Sequence, residues 1–288
     1  MRTNCGEADQ MNVVGTIKKE IALQISKVIP ITIRKGPCKE CKIYGNLFYN
    51  RRSNDFSLEE YLYEKLDLRD RTIVEAGAHV GVYTVLLSRR AINGKILAFE
   101  PNPLNYWFLK RNIKKNKLSN VLMFNIGLSN RREHLSFKSR RYNTGKGTFK
   151  KNKHELMKGS GDPIMSKTIP VTTTDEVLEE CRIGRVDFVK IDTEGFESQV
   201  IEGMLNTIRN WKPLVYFEVH GLNIRERQDD LERIWQFLTK YGYTIVKLEK
   251  GLPTVTEAVI EKGSGGGHVA FCDKLQLGIN EAFQGCMG

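Results

Sequence analysis

Short apolar runs recur along the middle of the chain, and most are followed by a segment with helical spacing. Five runs are nearly continuously hydrophobic: Thr72–Val74, Ile96–Phe99, Val121–Phe124, Val186–Ile191 and Leu214–Phe217. Strands that are buried on both faces of a parallel sheet have this composition. Helical spacing follows four of them, over Val80–Ala91, Pro103–Lys117, Glu197–Trp211 and Asp229–Tyr241. The alternation predicts an α/β protein built from βαβ units with right-handed crossovers.

The two ends of the chain add further elements to this pattern. Residues 1–70 form an extension in which the apolar-periodic segment from Met11 to Ile29 predicts a helix that packs on the core or on a partner. Near the other end, "YTIVKL" and "HVAFC" predict two more strands. Between the third and fourth strands, from Ser129 to Pro170, no long element is predicted.

Polar residues stand where the five apolar runs end. In chain order they are Glu75, Glu100, Asn125, Asp192, Glu218 and His220. In open α/β sheets, ligands bind at the carboxyl ends of the strands. We therefore expect these side chains to line a single crevice.

The first of these strand ends lies in "VEAGAHVGVYT", which places Gly77 and Gly81 in a turn between strand and helix. The spacing lacks the middle glycine of a dinucleotide-binding turn and the Gly-Lys-Ser/Thr ending of a P-loop. Glu100 lies nineteen residues after Gly81, where a carboxylate accepts hydrogen bonds from both hydroxyls of a ribose. Together with Glu75 it forms an acidic cradle that suits a cationic ligand, such as S-adenosylmethionine.

Five stretches of the chain resemble successive motifs of the FkbM-type methyltransferases. They are "VEAGAHVGVYT", "AFEPNPLNYWFLKRNI", "TTTDEVLEE", "VDFVKIDTEGFESQVIEGM" and "PLVYFEVHG". The resemblance implies an S-adenosylmethionine-dependent methyltransferase domain over residues 71–288, with a Rossmann-like class I fold. It also implies a seven-stranded, mostly parallel sheet whose last strand is antiparallel. The chain departs from the family pattern at Glu75 and His79, where Asp and Asn are usual, and in "NIGLS", where Ala-x-Gly is usual.

The resemblance also implies which residues hold the cofactor. The methionine-side turn and the helix after it contribute Glu75, Gly77, Ala78, His79, Gly81, Tyr83 and Thr84. Glu100 and Pro101 would contact the ribose, Asn125, Ile126 and Gly127 would flank the adenine, and Asp192 would complete the set. No residue is assigned as a metal ligand.

Candidate catalytic residues cluster after the fourth and fifth strands. They are Lys190, Asp192, Glu194, Glu218 and His220. Methyl transfer to a hydroxyl requires loss of a proton, and His220 is the best-placed of the five histidines to act as general base near pH 7. Two alternatives involve the acids: mutual repulsion raises one carboxyl pKa, or Asp192 and Glu194 hold a divalent ion that acidifies the hydroxyl. Glu194 and Glu197 also suit the amino end of the following helix.

The positive charge of the chain is concentrated in one segment. Fourteen Lys or Arg residues and one acid, Glu133, lie between Lys110 and Lys153, so this segment accounts for the net charge of +11. It overlaps a basic insert, residues 129–170, which is expected to be a lid, a binding loop or a solvated charge run. Basic residues with interleaved aromatics also bind nucleic acid.

Three functions remain open on this basis. The first is O-methylation of a sugar, another small molecule or a glycan. The second is RNA methylation of the tRNA type with the basic segment 110–153 holding the substrate, since "EPNP" is similar to a motif of some tRNA methyltransferases. The third is a non-catalytic binding module.

Cellular location is inferred from what the sequence lacks. Its six cysteines are too scattered for a disulfide framework. The first residues lack the build of a signal peptide, and the apolar runs are too short to span a bilayer. We expect a cytoplasmic protein.

Overall fold

The computed structural model describes residues 5–36, 38–45, 57–151, 162–249, 252, 254–263, 265–273 and 276–287. Helix α1 (Cys5–Val28) confirms the predicted amino-terminal helix and begins earlier than expected. A two-stranded antiparallel ribbon follows, made of β1 (Ile31–Thr32) and β2 (Lys42–Ile43). Helix α2 (Leu58–Lys65) starts with a capping box, in which the side chains of Ser57 and Glu60 accept from each other's backbone N–H groups.

The central sheet has seven strands. In chain order they are β3 (Thr72–Ala76), β4 (Lys95–Phe99), β5 (Val121–Phe124), β9 (Phe188–Ile191), β10 (Leu214–Val219), β11 (Thr244–Lys247) and β12 (Gly266–Phe271). Across the sheet the order is β11-β12-β10-β9-β3-β4-β5, and β12 runs antiparallel to both of its neighbours. The predicted mostly parallel sheet with an antiparallel last strand is confirmed. The strand order reverses between β3 and β9, where an α/β sheet opens a crevice.

Helices cover both faces of this sheet. One face carries α2, α3 (Val82–Arg90), α4 (Pro103–Lys115) and α10 (Ile279–Met287), which share one apolar core with the sheet. The other face carries α5 (Thr174–Glu180), α6 (Glu197–Glu202), α7 (Leu205–Trp211), α8 (Ile224–Lys240) and α9 (Glu257–Glu261). Leu62 and Tyr63 of α2 are fully buried in the first core. Residues before position 70 therefore help to build the body of the fold.

The basic insert contains a second sheet, so the prediction of no long element there is wrong. Strands β7 (Glu133–Arg140) and β8 (Ile164–Thr172) pair antiparallel, and β6 (Gly127–Leu128) pairs parallel with β8. Phe137 and Phe149 are buried against β8. The alternation in β7 places apolar side chains inward and basic ones outward. Because only two inward positions are apolar and charged residues surround them, the sequence pattern was too weak to predict a strand. The part of the insert over 152–161 lies outside the described residues.

Two predicted helices differ from the observed ones. The helix expected over Glu197–Trp211 is split into α6 and α7 at Gly203. A side chain is excluded there, because a Cβ atom would lie 1.9 Å from the Ser129 carbonyl oxygen. Helix α8 starts at Ile224, five residues before the expected start, because the Asn223 side chain caps it by accepting from the Glu226 N–H. In the part of the chain that the structure describes, no helix combines the length and apolarity needed to cross a bilayer.

Candidate active site

A cavity of about 330 Å³ opens at the carboxyl ends of β3, β4, β9 and β10, at the point where the strand order reverses. The sequence-predicted residues that line it are Gly77, Ala78, His79, Tyr83, Glu100, Pro101, Ile126, Gly127, Lys190, Asp192, Glu194, Glu218 and His220. Its size lies within the range of small-molecule sites. The predicted cofactor turn and the predicted catalytic residues thus share one cavity.

The turn after β3 is shaped by backbone geometry. Gly77 has a φ of 85°, and a Cβ atom there would lie 1.8 Å from the carbonyl oxygen of Asp192. Only glycine therefore permits β3 and β9 to approach this closely. His79 also has a positive φ of 51°, and its N–H donates to Glu100 Oε2 over 2.7 Å. Burial lowers the pKa of His79 to about 4, so its ring is neutral at pH 7.

Glu100 is fixed at the end of β4 by main-chain and side-chain donors. Its Oε2 accepts from the His79 N–H, and its Oε1 accepts from the Asn102 N–H at 2.8 Å and the Asn105 amide at 3.3 Å. Burial raises its pKa to about 7, against the effect of these donors. Each carboxylate oxygen has two lone pairs, so Oε1 is fully used and Oε2 retains capacity for one further donor.

Four of the predicted cofactor residues do not line the cavity. Glu75 lies inside β3 rather than after it and is fully buried, and its Oε2 accepts from the Thr84 hydroxyl at 2.6 Å. Burial raises the pKa of Glu75 to about 7. Gly81 precedes α3 with a φ of 89°, and the amide of Asn125 donates to the Glu100 carbonyl at 2.8 Å. These residues support the turn and its flanking strands from beneath.

Lys190 is almost fully buried beneath the cavity. Its Nζ lies 3.4 Å from Asp192 Oδ2 and 5.1 Å from the centre of the Tyr83 ring. Burial disfavours the ammonium, but the charges of Asp192, Glu59 and Glu75 outweigh burial and raise the pKa of Lys190. Glu59, whose charge acts on this lysine from α2, was not predicted from the sequence.

His220 is surrounded by four carboxylates, and we name these five residues the acid–histidine cluster. Its Nδ1 lies 3.2 Å from Glu197 Oε1, and its Nε2 lies 3.6 Å from Glu218 Oε1, 3.8 Å from Asp192 Oδ1 and 3.9 Å from Glu194 Oε1. Glu197 is buried at the start of α6, where its Oε1 also accepts N–H groups of the loop after β9. The sequence placed four of these residues at strand ends, and the fold brings all five together.

The electrostatics of the cluster constrain its chemistry. Burial alone would lower the pKa of His220, but the hydrogen bond and charge of Glu197, with the charges of Glu194 and Asp192, raise it to about 9. Burial also opposes ionisation of Asp192, yet Lys190 and His220 lower its pKa. The ligand-free His220 ring is therefore mostly protonated at pH 7. Its role as general base stays a prediction and requires loss of that proton.

The basic insert supplies one wall of the cavity. Phe137, Thr144, Gly145, Gly147 and Phe149 all line it, and none of them was predicted. The alternation of Phe137 with Lys138 and of Ser139 with Arg140 is the signal that could have found the strand that carries the first of them.

Much of the insert's positive charge is paired with acids elsewhere in the chain. Arg132 contacts Glu180 at 2.5 Å, and Lys150 contacts Asp230 at 2.6 Å. Arg141 joins Glu20 of α1 at 3.1 Å, which attaches the amino-terminal helix to the insert. These pairs leave fewer cations for a phosphate backbone than the sequence suggests.

Comparison with known proteins gives consistent matches. The methyltransferase FkbM domain matches residues 75–245, which is more than half of the chain. Methyltransferase 1 of Beauveria bassiana is 30% identical over 146 residues, which cover 47% of this chain and 59% of that protein. The hexuronic acid methyltransferase AglP of Haloferax volcanii is 27% identical over 152 residues, which cover 53% of this chain and 57% of that protein.

Among solved structures, the methyltransferase FkbM of Methylobacillus flagellatus aligns over 79% of this chain and 47% of that one, with 16% identity and a TM-score of 0.46. The matched region thus spans somewhat more than half the length of the two relatives above. The extent of the domain match, together with the cavity at the strand switch, identifies the chain as a member of the FkbM methyltransferase family.

Proposed function

We propose that this chain transfers a methyl group from S-adenosylmethionine to a hydroxyl of a sugar or another small molecule. The observation that carries the proposal is a single cavity that joins a strand-end carboxylate, Glu100, to the acid–histidine cluster. Bound S-adenosylmethionine would supply an electrophilic methyl group. The similarity to the hexuronic acid methyltransferase supports a sugar acceptor.

The residues around the cavity suit this cofactor. Glu100 faces the cavity with acceptor capacity left for a ribose hydroxyl, and the neutral His79 ring places no positive charge near the sulfonium. Gly77 lets the turn after β3 pack directly against the Asp192 carbonyl, and this close approach fixes the main chain that lines the cavity. Tyr83 and Asp192 complete the wall where the methionine part would lie.

The acid–histidine cluster would then serve the acceptor. As the hydroxyl oxygen bonds to the methyl carbon, the carbon–sulfur bond breaks with its electron pair moving to sulfur, and the hydroxyl proton must leave. Four carboxylates and one imidazole at the ends of β9 and β10 provide a destination for that proton. Lys190 keeps Asp192 ionised and in place.

Calorimetric titration with S-adenosylhomocysteine tests the cofactor assignment. We expect micromolar binding by the wild-type chain and loss of that binding in Glu100→Ala. Glu180→Ala removes an exposed carboxylate far from the cavity and should bind like the wild type. Absence of binding by the wild-type chain would overturn the proposal.

Transfer of a radiolabelled methyl group tests the acceptor class. We expect the label to be incorporated into an oligosaccharide that contains glucuronic acid. The label should remain after treatment with mild base, because a methyl ether survives this treatment and a methyl ester does not. Incorporation into tRNA alone would replace the proposal with the RNA alternative. Cofactor binding without transfer to any hydroxyl-bearing substrate would favour a binding module.

A further inference from the structure

We propose that Asp192, Glu218 and His220 bind a divalent cation at the floor of the acceptor side of the cavity. One potential ligand atom from each residue lies within 4.8 Å of the others. All three side chains line the cavity, so a cation bound there would be open to a substrate oxygen. The carboxylates come from the ends of two adjacent parallel strands, β9 and β10, which fixes their separation.

The contacts of Nδ1 fix the orientation of the His220 ring. Nδ1 lies 3.1 Å from the carbonyl oxygen of Glu218 and 3.2 Å from Glu197 Oε1. Both of these atoms are acceptors, so Nδ1 carries a hydrogen. Metal-binding histidines are typically held in this way, with the second nitrogen donating to a carboxylate or a carbonyl. The ring therefore presents Nε2 to the remaining carboxylates.

The distances around Nε2 do not fit hydrogen bonds. Oxygens of Glu218, Asp192 and Glu194 lie 3.6, 3.8 and 3.9 Å away, beyond the reach of an N–H···O bond. Ligands that sit about 2.1–2.4 Å from a shared ion, at angles of about 90–110°, are roughly 3.0–3.9 Å apart. The distances from Nε2 to these oxygens thus fall within the range for ligands of one ion.

Glu197 adds buried negative charge on the Nδ1 side of the His220 ring. Its side chain is 1% exposed and reaches His220 through Oε1, while Oε2 is buried and has no hydrogen-bond partner within the part of the chain that the structure describes. A buried carboxylate oxygen without a donor is costly unless positive charge lies close to it. Lys190 is engaged with Asp192 Oδ2, which leaves Asp192 Oδ1 directed at the cluster.

The mixed ligand set indicates the kind of ion. Carboxylate oxygens with one imidazole nitrogen suit Mn²⁺ better than Ca²⁺ or Mg²⁺, which prefer oxygen alone. An acceptor hydroxyl on such an ion would lose its proton more readily. His220 then acts as a ligand, and a carboxylate such as Glu194 takes the proton in its place. This last step rests on the proposed function, whereas cation binding does not.

Titration of the full chain with Mn²⁺, followed by the electron paramagnetic resonance signal of free Mn²⁺, tests the site without cofactor or acceptor. We expect saturable binding of one Mn²⁺ per chain. Glu218→Gln and Asp192→Asn should each weaken it by about tenfold or more. The matched control Glu180→Gln should bind like the wild type.

Folding of the variants is checked by circular dichroism and by S-adenosylhomocysteine binding, which should persist in Glu218→Gln. No saturable Mn²⁺ binding by the wild type, or equal binding by Glu218→Gln and Glu180→Gln, would overturn the cation site. Failure to bind S-adenosylhomocysteine would overturn the proposed function instead, since Mn²⁺ binding is measured separately.

Discussion

The two sides of the cavity are built in different ways. At the ends of β3 and β4, one cavity-lining carboxylate, Glu100, is 4% exposed and is held by two backbone N–H groups. One belongs to His79, in the turn with positive φ angles, and the other to Asn102. At the ends of β9 and β10, side chains of Asp192 and Glu218 are about one-third exposed and lie around His220 at distances beyond hydrogen bonding. In the proposed function, the first side is the recognition surface, made by the main chain, and the second is the reactive surface, made by side chains.

This difference separates recognition from chemistry. A turn that is fixed by backbone geometry is pre-organised for a ligand and costs little to order on binding. A cluster of like charges costs stability and is retained where it serves a reaction. Changes at Glu218 and His220 should therefore alter turnover, and changes on the β3–β4 side should alter cofactor affinity. Changes at Asp192 should alter both, because it also borders the proposed methionine site.

His220→Ala should show the largest effect. Removal of the imidazole takes away the centre of the acid–histidine cluster, so methyl transfer should fall by about 10²–10⁴-fold. S-adenosylhomocysteine affinity should change by no more than about twofold, because recognition lies on the other side. Initial rates and calorimetry on the same preparations measure the two quantities.

His134→Ala is the matched control, since this histidine is exposed on β7 and does not line the cavity. If His220→Ala weakened cofactor binding as much as it slowed transfer, the two sides would not be separable.

Lys190→Met should produce the largest loss of stability. The substitution keeps the length of the side chain but leaves Glu59, Glu75 and Asp192 without the cation that they share. Breaking a buried ion pair from one side costs about 3–5 kcal/mol. In a chain of this size that lowers the melting temperature by roughly 6–20 °C.

The double variant Glu59→Gln with Lys190→Met should recover part of the loss, because it removes one of the carboxylates left behind. Lys151→Met, at an exposed position of the basic segment, should leave the melting temperature nearly unchanged. Equal melting temperatures for the two lysine variants would show that Lys190 is not shared among these acids.

Gly77→Ala should act on the recognition side through the backbone. Its Cβ would overlap the Asp192 carbonyl, and the left-handed conformation costs a further 1–2 kcal/mol or so for a residue with a side chain. We expect a stability loss of about 3 kcal/mol and much weaker S-adenosylhomocysteine binding.

Gly184→Ala is the matched control, because no atom lies within 4 Å of a Cβ built there. Differential scanning fluorimetry with and without S-adenosylhomocysteine compares the two. A normal ligand-induced shift in Gly77→Ala would contradict the role assigned to the turn.

The sequence predicted the site best for residues whose position depends only on where a strand of the parallel sheet ends. Strands of a parallel sheet end at one edge, so the residues after five apolar runs could be placed together, and most of them line the cavity. The prediction failed for Glu75, because the apolar run ends before β3 does, and for Asn125, because its amide donates to the Glu100 carbonyl and does not line the cavity. Glu75 is a buried member of β3 and supports α3 through Thr84.

Contacts between distant segments could not be predicted in the same way. The charge of Glu59 acts on Lys190 from a helix outside the predicted domain, and Phe149 packs against Gly127 from the insert. Neither interaction has a local sequence signal, since each depends on how α2 and the small sheet pack against the core. Strand β7 was missed because polar and basic side chains hide its alternation, and β8 was missed because the four residues from Met165 to Thr168 are all exposed.

The smallest expected effect is the pH dependence of cofactor recognition, and it tests the β3–β4 side alone. Burial raises the pKa of Glu100 to about 7 in the ligand-free chain. A ribose hydroxyl donates to the ionised carboxylate, so binding favours that form and lowers the pKa. Affinity should therefore be full above pH 7 and fall as the pH drops through 7. A change from pH 7.5 to pH 6 corresponds to roughly an eightfold loss.

Glu100→Gln separates this group from its titratable neighbours. Glu75 has a similar pKa of about 7 but lies outside the cavity, and the neighbouring His79 is neutral throughout this range. The variant should bind S-adenosylhomocysteine more weakly and with no slope between pH 6 and 7.5. If the affinity of Glu100→Gln still fell between pH 7.5 and pH 6, the titrating group would be Glu75. Cofactor recognition would then depend on the buried residues beneath the turn and not on its surface.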